Sequence, residues 1–400
     1  MSPDAAREAA TNREAPEFSL AVGGPLYATY LRAHLADPPL GFVHRRLVAY
    51  LLITWVPLCL LSVFDARGAN VTVSFLRDID VHVRLLIALP LFVIAEPFVH
   101  QRLTASVRQF VARDLIAPAD LRRFVAAVVS SVKLRNSPTL EIAVLLGAFI
   151  VGHWVWESRV SLNVDTWYNR HAGDGSMLTM AGRWYAFVSL PLFRFLALRW
   201  LVRLIVVWYR FLWLVSRIPL RLNALHPDRT GGLGFLSTSV FAFAPILVAI
   251  TSLLSGMVAQ RIWHDAATLP QFKMEILGVV VALMVLVFLP HMFFAIQLER
   301  TWRTGAGEYG ALGCRYVEGF RRKWLSPHTY TRDSPVGSAD IQSLADLGNA
   351  YEVIRDMHLV PITRTTVIRL GVLTILPLLP LLLTMVPLEH IVDQAIDMFI

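Results

Sequence analysis

The chain has 400 residues and a formal net charge of +8, and it is 56% hydrophobic and only 16% charged. Soluble domains carry about 45–50% apolar and about 25% charged residues, so this balance argues against an ordinary water-soluble domain and indicates lipid as the solvent. In a membrane protein, a basic excess is typical of loops that face anionic lipid. We therefore expect membrane lipids, and no nucleic acid, among the partners.

The first 46 residues predict a tail on the inner side of the membrane. Residues 1–18 are rich in Ala, Glu, Arg and Pro, a composition that predicts disorder. They also lack the apolar core of a signal peptide. From Leu26 to Leu35 the apolar side chains recur at helical spacing. This spacing predicts a short surface helix before the membrane.

Long apolar runs predict an all-α fold, a polytopic transmembrane helix bundle with amphipathic helices on its inner face. A run of about 18 or more apolar residues is long enough to cross a hydrocarbon core about 30 Å thick. We expect about seven spans, at roughly 47–64, 82–99, 139–156, 184–215, 235–258, 274–298 and 367–387. The fourth run is too long for a simple crossing and is expected to tilt or to project beyond the membrane.

The distribution of basic residues predicts the orientation of the bundle. With the N-terminus inside, most lysines and arginines between the spans fall on the inner side, as the positive-inside rule requires. The C-terminus is then outside. The segment 367–400 holds the last span and a short outer tail, which carries Glu389, Asp393 and Asp397 and no basic residue.

Two inner segments are long enough to be structured. The segment 104–136 predicts an amphipathic helix beside the 47–298 transmembrane bundle. Its apolar face holds Leu121, Phe124, Val125, Val128, Val129 and Val132, flanked by Arg122, Arg123, Lys133 and Arg135. The segment 299–366 predicts a cytoplasmic helical module, with a helix capped by Ser338 or Asp340 and ended before Pro361. At this size, the module needs support from the bundle.

Arginines recur on one face of the fourth span. Arg199, Arg203, Arg210 and Arg217 fall within about 40° on a helical wheel, and Arg221 joins them if the helix survives Pro219. The stripe lies in the inner half of the span. Three interpretations stay open: an anion path or phosphate site, contact with anionic head groups, or pairing with carboxylates. The predicted carboxylate partners of Arg199 and Arg203 are Glu96, Glu141 and Glu299, which lie at a similar depth.

A glycine-rich turn comes directly after this stripe, in the sequence His226-Pro227-Asp228-Arg229-Thr230-Gly231-Gly232-Leu233-Gly234-Phe235. Backbone amides just before a helix start suit an anion. The predicted anion or head-group site therefore comprises Arg210, Arg217, Arg221, His226, Asp228, Arg229, Gly231, Gly232 and Gly234. The alternative is a tight loop in which Asp228 or Thr230 caps the next helix. The spacing matches no nucleotide fingerprint, and we predict no metal, cofactor or catalytic residue.

The same ten-residue stretch resembles sequence found in a family of uncharacterised bacterial multi-pass inner-membrane proteins. The resemblance also rests on Ser338-Ala339-Asp340-Ile341-Gln342-Ser343-Leu344-Ala345-Asp346-Leu347. It covers the chain from about residue 220 to the end, including the proline-rich last span. The resemblance implies a bacterial inner-membrane setting, and it carries no activity, substrate or catalytic residue to transfer.

Three functions stay open on the sequence alone. The leading hypothesis is a transport or channel-type protein whose basic inner vestibule handles an anionic small molecule or a lipid head group. The second is a membrane-anchored regulatory or scaffold protein that acts through residues 299–366. The third is an enzyme that acts on a lipid-linked phosphate, with His226 and Asp228 as acid and base. The sequence does not determine whether the chain forms a homo-oligomer.

Overall fold

The computed structural model describes residues 17–65, 74–159, 166–172, 175–264, 267–325 and 338–385. The predictions for residues 1–16 and for the acidic outer tail fall outside these ranges. The helices are α1 (Pro25–Arg32), α2 (Val43–Asp65), α3 (Ile79–Ala112), α4 (Leu121–Arg135), α5 (Pro138–Arg159), α6 (180–216), α7 (Gly234–His264), α8 (Leu269–Leu325), α9 (Ala339–Arg355) and α10 (Arg364–Thr384).

Five helices of the described residues are long and apolar enough to cross a membrane, namely α2, α3, α7, α8 and α10. Their outward faces carry large apolar side chains, such as Leu52, Val285 and Ile368, which are 53–64% exposed. Broad apolar surfaces of this kind are unfavourable in water. The expected helical membrane bundle is confirmed at this level. The count of seven spans, which also needs α5 and α6, and the orientation remain predictions.

Helices α3 and α7 form the centre of the bundle. Helix α7 packs on α3 and α10, and α6 packs on α3, α4, α5 and α8. Gly256 of α7 allows a close approach to α3, because a Cβ at this position would lie 3.0 Å from Cβ of Val83. Leu85 and Phe92 of α3 and Ala249 of α7 are almost completely buried at this interface and its surroundings.

A small β-hairpin departs from the all-α expectation. Within the described residues the only strands are β1 (Asn169–Ala172) and β2 (Gly175–Leu178), which pair antiparallel with Asn169 opposite Leu178. The hairpin lies where α2 ends and where α3 and α6 begin. We call this the hairpin end of the bundle.

Buried and partly buried polar contacts hold the hairpin end together. Trp167 Nε1 donates to the Asp78 carboxylate at 2.9 Å, and the backbone N–H of Ala181 donates to the Asp65 carboxylate at 3.0 Å. Arg170 donates to the Asp65 carbonyl. Each contact joins residues more than eighty positions apart. Periodicity along the sequence could not reveal them, since it reports only neighbours within one element.

The predicted boundary between the bundle and the 299–366 module does not interrupt the helix. Helix α8 runs from Leu269 to Leu325 as one element, and α9 packs on it. The residues around Leu298 and Glu299 favour a helix whether they are apolar or charged, so the change of polarity marks an environment and not a helix end. Helix α9 ends at Arg355, well before Pro361.

Candidate functional site

The arginine series of α6 divides into a buried part and an exposed part. Arg199 and Arg203 are 2–3% exposed, whereas Arg210 and Arg217 lie on the surface. A π-helical turn, Arg203–Trp208, separates the two parts. A π turn holds one extra residue, which rotates the next part of the helix by about 100°. The prediction that these arginines share one helical face is therefore wrong beyond Arg203, because it assumed an unbroken period of 3.6 residues per turn.

The buried part of the series forms an ion-pair network with two glutamates. Arg199 Nη1 lies 2.7 Å from Glu96 Oε1, and Arg199 Nε lies 3.0 Å from Glu141 Oε1. The second oxygen of Glu96 pairs with Arg46 of α2. Arg203 Nη2 lies 3.5 Å from Glu141 Oε1. Helices α2, α3, α5 and α6 thus each contribute a charge to one buried network.

The depth of this network is set by where its residues lie along their helices. Arg46 and Glu141 occupy the first turns of α2 and α5. Glu96 and Arg199 lie well inside the longer helices α3 and α6. The network is therefore level with the start of two helices, at the end of the bundle opposite the hairpin. A cover over the starts of α2 and α5 would shield it from solvent.

The N-terminal segment provides that cover. Residues 17–24, which we call the strap, lie against α3, α4 and α6, and Phe18, Leu20 and Ala21 are at most 3% exposed. The Phe18 ring lies 4.5 Å from the Phe211 ring, and its carbonyl accepts from the Thr104 hydroxyl at 2.7 Å. The predicted surface tail is wrong for these residues, because they are part of the core.

Strap carbonyls satisfy arginines of the site. Arg135 Nη1 donates to the Ser19 carbonyl at 2.6 Å. Arg203 donates to the carbonyls of Ala21 at 3.2 Å and Gly23 at 3.4 Å. The strap bends at residues 20–22, where the Ser19 hydroxyl accepts from the N–H groups of Ala21 and Val22.

The glycine pair Gly23-Gly24 lets the strap approach the buried arginines closely. Both residues have positive φ, 115° and 89°, a conformation that L side chains rarely adopt. A Cβ at Gly23 would come 2.6 Å from Arg135 Nη2 and also meet the Asn136 side chain. Just after the pair, the N–H of Leu26 donates to Glu141 Oε2 at 2.9 Å.

Helix α1 completes the cover with aromatic side chains. The hydroxyls of Tyr30 and Tyr50 lie 2.6 Å apart, and both residues are buried. The guanidinium of Arg46 lies over the Tyr30 ring at 5.4 Å. Arg46 Nη2 also donates to the Leu40 carbonyl at 3.1 Å. The helix predicted near Leu26 is thus packed on the buried arginines through Tyr30.

The described part of this site carries more positive than negative charge. It contains four buried arginines, Arg46, Arg135, Arg199 and Arg203, and two buried glutamates, Glu96 and Glu141. Two guanidinium nitrogens, Arg46 Nε and Arg199 Nη2, are buried with no acceptor among the described residues. Burial and the nearby charge of Arg199 lower the pKa of Arg135 to about 10. Among the described residues the cluster thus has a net surplus of two positive charges, and Arg135 is the arginine without a carboxylate partner.

The other predicted site residues do not join this cluster. Arg217 lies on the surface with its guanidinium 5.2 Å from the Trp213 ring, and Arg221 is also exposed. Arg229 is exposed and lies 3.4 Å from Asp356.

Glu299, expected beside Arg199, pairs instead with Arg303 on its own helix at 2.5 Å. Glu299 is partly exposed, because it lies on a different side of α8 from its fully buried neighbour Leu298.

The amides of the predicted glycine turn have a partner inside the protein. One Asp228 oxygen accepts from the N–H groups of Thr230 and Gly232 at 2.8 and 3.1 Å, and the other accepts from Gly234 at 2.9 Å. Burial alone raises the pKa of Asp228, but these three donors outweigh it and hold the pKa below its usual value. An external anion would have to compete with this carboxylate. Gly231 contributes a positive φ of 65° to the turn.

The possible acid–base pair of the turn is also engaged in structure. His226 Nδ1 lies 2.9 Å from Asp228 Oδ1. The same oxygen accepts two backbone N–H groups, and Arg113 lies 3.9 Å from the other oxygen. A carboxylate held in this way is a poor general base, because its lone pairs are occupied. The contacts match the loop alternative, in which Asp228 orders the turn before α7.

Sequence reasoning missed Arg46, Arg135 and the strap. Arg46 precedes the first apolar run and was counted with the tail, and Arg135 was expected to flank an apolar face. A usable signal was the short apolar stretch Phe18 to Val22 followed by two glycines. This stretch is too short to span a membrane and too apolar for a solvated tail. Comparisons with family models, with curated proteins and with solved structures found no match to this chain.

Proposed function

We propose that this chain is a transport or channel-type protein of the bacterial inner membrane, with its N-terminus inside, that binds an anionic solute or lipid head group. The binding site is the arginine cluster, defined as Arg46, Arg135, Arg199 and Arg203 with Glu96 and Glu141. The observation that carries the proposal is that, within the described part of the chain, buried arginines of the cluster outnumber its buried carboxylates and two guanidinium nitrogens have no acceptor.

An unbalanced buried charge is costly, which is the physical basis of the proposal. Buried charges are normally paired, and an unpaired ion costs several kcal/mol even after the protein relaxes. Arginine cannot escape this cost easily by losing its proton. A bound anion would supply the missing charge and accept from the unpartnered nitrogens. The planar guanidinium fork suits phosphate and carboxylate groups in particular.

A binding measurement on arginine variants tests this proposal. Purified protein in nanodiscs of zwitterionic lipid is titrated with phosphate and sulfate by calorimetry. Arg203→Met removes one charge-assisted donor, worth about 1.5–3 kcal/mol, so the affinity should fall about tenfold or more. Arg203→Lys retains the charge and is expected to lose less. Arg217→Ala removes an exposed arginine of the same helix and should leave the affinity within about twofold.

Transport is tested separately from binding. Proteoliposomes loaded with labelled phosphate or sulfate should release the anion faster with wild-type protein than with Arg203→Met. If the wild type binds neither anion nor anionic lipid, the proposal is wrong. If it binds them but Arg203→Met binds equally well, the cluster is a structural network and the binding site lies elsewhere.

A scaffold function is the second candidate, and one observation favours it. Helix α8 and its neighbour α9 leave Leu312, Val317 and Ile341 42–51% exposed. Cys314 lies in the same stretch of α8 and is also exposed, so it reports on any covering partner. A scaffold role requires Cys314 to react with maleimide more slowly in native membranes than in the purified protein. Equal rates would remove the support for this candidate.

A further inference from the structure

The arginine cluster already has an occupant, which is the protein's own strap. Three of the acceptors on its arginines are the carbonyl oxygens of Ser19, Ala21 and Gly23. These carbonyls come from a segment that reaches the cluster from outside the helices. The segment therefore fills positions that another group with several oxygens would take.

We infer that the cluster binds an oxyanion of the phosphate type, and that this ligand binds by displacing the strap. The inference rests on the proposed function and names both the ligand class and the regulation of that site. The oxyanion accepts from the Arg135 and Arg203 donors that now hold the strap carbonyls, and its charge offsets the positive surplus of the cluster. The strap and the ligand are mutually exclusive.

The strap is a weak partner of Arg203. Arg203 holds the carbonyls of Ala21 and Gly23 at 3.2 and 3.4 Å, the long end of the range for hydrogen bonds. Neutral carbonyls also leave the charge surplus in place. A charged oxygen forms a hydrogen bond roughly twice as strong with the same donor. Exchange of strap for oxyanion therefore improves the pairing of Arg203.

The donor arrangement selects the class of anion. Arg135 of α4 and Arg203 of α6 donate from different helices to oxygens on alternate strap residues. A halide offers a single acceptor atom, which suits two planar forks from different helices less well than several oxygens do. Phosphate carries several oxygens around one centre and can accept from both forks. The phosphate group has two sources, free phosphate or the head group of an anionic lipid.

The close packing around the strap identifies variants that should release it without replacing an arginine. Gly23→Ala places a methyl group against Arg135 and Asn136. Phe18→Ala removes the ring that packs on Phe211 at 4.5 Å. Neither change removes a donor of the cluster. Gly147→Ala in α5 is the matched control, because a Cβ there meets nothing within 4 Å.

The experiment compares phosphate affinity across these variants in nanodiscs. Because a closed strap lowers the apparent affinity in proportion to the open fraction, Gly23→Ala and Phe18→Ala should bind phosphate at least about tenfold more tightly than wild type. Gly147→Ala should match wild type. Nanodiscs that contain phosphatidic acid form a second arm. If they block phosphate binding, the lipid is a source of the ligand, and if they do not, free phosphate is the ligand.

A labelling measurement follows the strap itself and does not depend on those variants folding. Val22→Cys is placed in a background with Cys59→Ser and Cys314→Ser, and its reaction with maleimide is timed. Phosphate or phosphatidic acid should speed the reaction at least about threefold, as the strap leaves its site. Chloride at the same ionic strength should not.

The outcomes separate this inference from the proposed function. If phosphate binds wild type, Gly23→Ala and Phe18→Ala equally and labelling at position 22 does not change, the strap is a fixed part of the core and the inference fails. Chloride that binds as tightly as phosphate overturns the ligand class. If no anion binds any variant, the proposed function fails together with the inference.

Discussion

Glu96 accepts from two buried guanidinium groups, so Glu96→Gln is a sensitive perturbation of the arginine cluster. Glutamine keeps the shape of the side chain but removes its charge. Arg46 loses its only carboxylate partner among the described residues, and Arg199 loses the contact at 2.7 Å. Breaking a buried pair in this way costs about 3–5 kcal/mol, because the remaining charge stays buried.

Glu299→Gln is the matched control for this prediction. Glu299 pairs with Arg303 one turn away on the surface of α8. Exposed pairs at this spacing contribute about 0.3–0.5 kcal/mol. The same chemical change is therefore expected to have about a tenfold smaller effect at position 299 than at position 96.

Unfolding of the purified protein by a denaturing detergent, followed by tryptophan fluorescence, measures both free energies. Glu96→Gln should unfold at a clearly lower detergent fraction, and Glu299→Gln should overlay the wild type. Adding Arg46→Met to Glu96→Gln should recover part of the loss, since contacting residues couple by about 0.5–3 kcal/mol. Equal stability of the two single variants would refute the buried network as a source of stability.

Three further predictions concern other parts of the chain. Gly182→Ala should cost about 1–3 kcal/mol, because its Cβ collides with a backbone carbonyl at the hairpin end, whereas Gly278→Ala meets nothing and should be neutral in the same unfolding assay. Asp228 has a lowered pKa in the folded protein, so its contribution to stability is complete above its ordinary value of 3.8 and is lost as the pH falls through the folded value. Asp228→Asn should therefore remove that part of the acid sensitivity seen in pH-dependent unfolding. Finally, an impermeant maleimide should label Cys314 only from the side that carries the N-terminus, and labelling from the opposite side would overturn the predicted orientation.

Hydropathy predicted much of the bundle because lipid imposes a simple rule on the sequence. A helix that faces hydrocarbon needs a long apolar run, and the runs near residues 47, 82, 235, 274 and 367 lie in α2, α3, α7, α8 and α10. Glu96 and Glu141 were predicted to pair with arginines at a similar depth for a related reason, since a charge inside a span needs a partner. Both glutamates contact Arg199 in the structure.

Other features depend on information that periodicity does not contain. The π turn Arg203–Trp208 rotates the arginine face, yet its residues are ordinary helix formers and apolar side chains. Glu299 has the right depth by sequence position but faces outward. The strap carries only a handful of apolar residues, and its contacts reach residues more than 80 positions away. Such placements arise from tertiary packing, which overrides local propensity.

The continuity of α8 has a mechanical consequence. A 3₁₀ segment, Leu289–Phe294, interrupts the α-helical hydrogen bonding within it, and such segments often mark hinges. From Pro290 the helix continues to Leu325, a length of about 50 Å at 1.5 Å per residue. A bend of about 10° at Pro290 therefore swings the Leu325 end through about 9 Å, carrying α9 with it. A slight displacement among the apolar helices becomes a movement as large as the width of a helix at the far end of this arm.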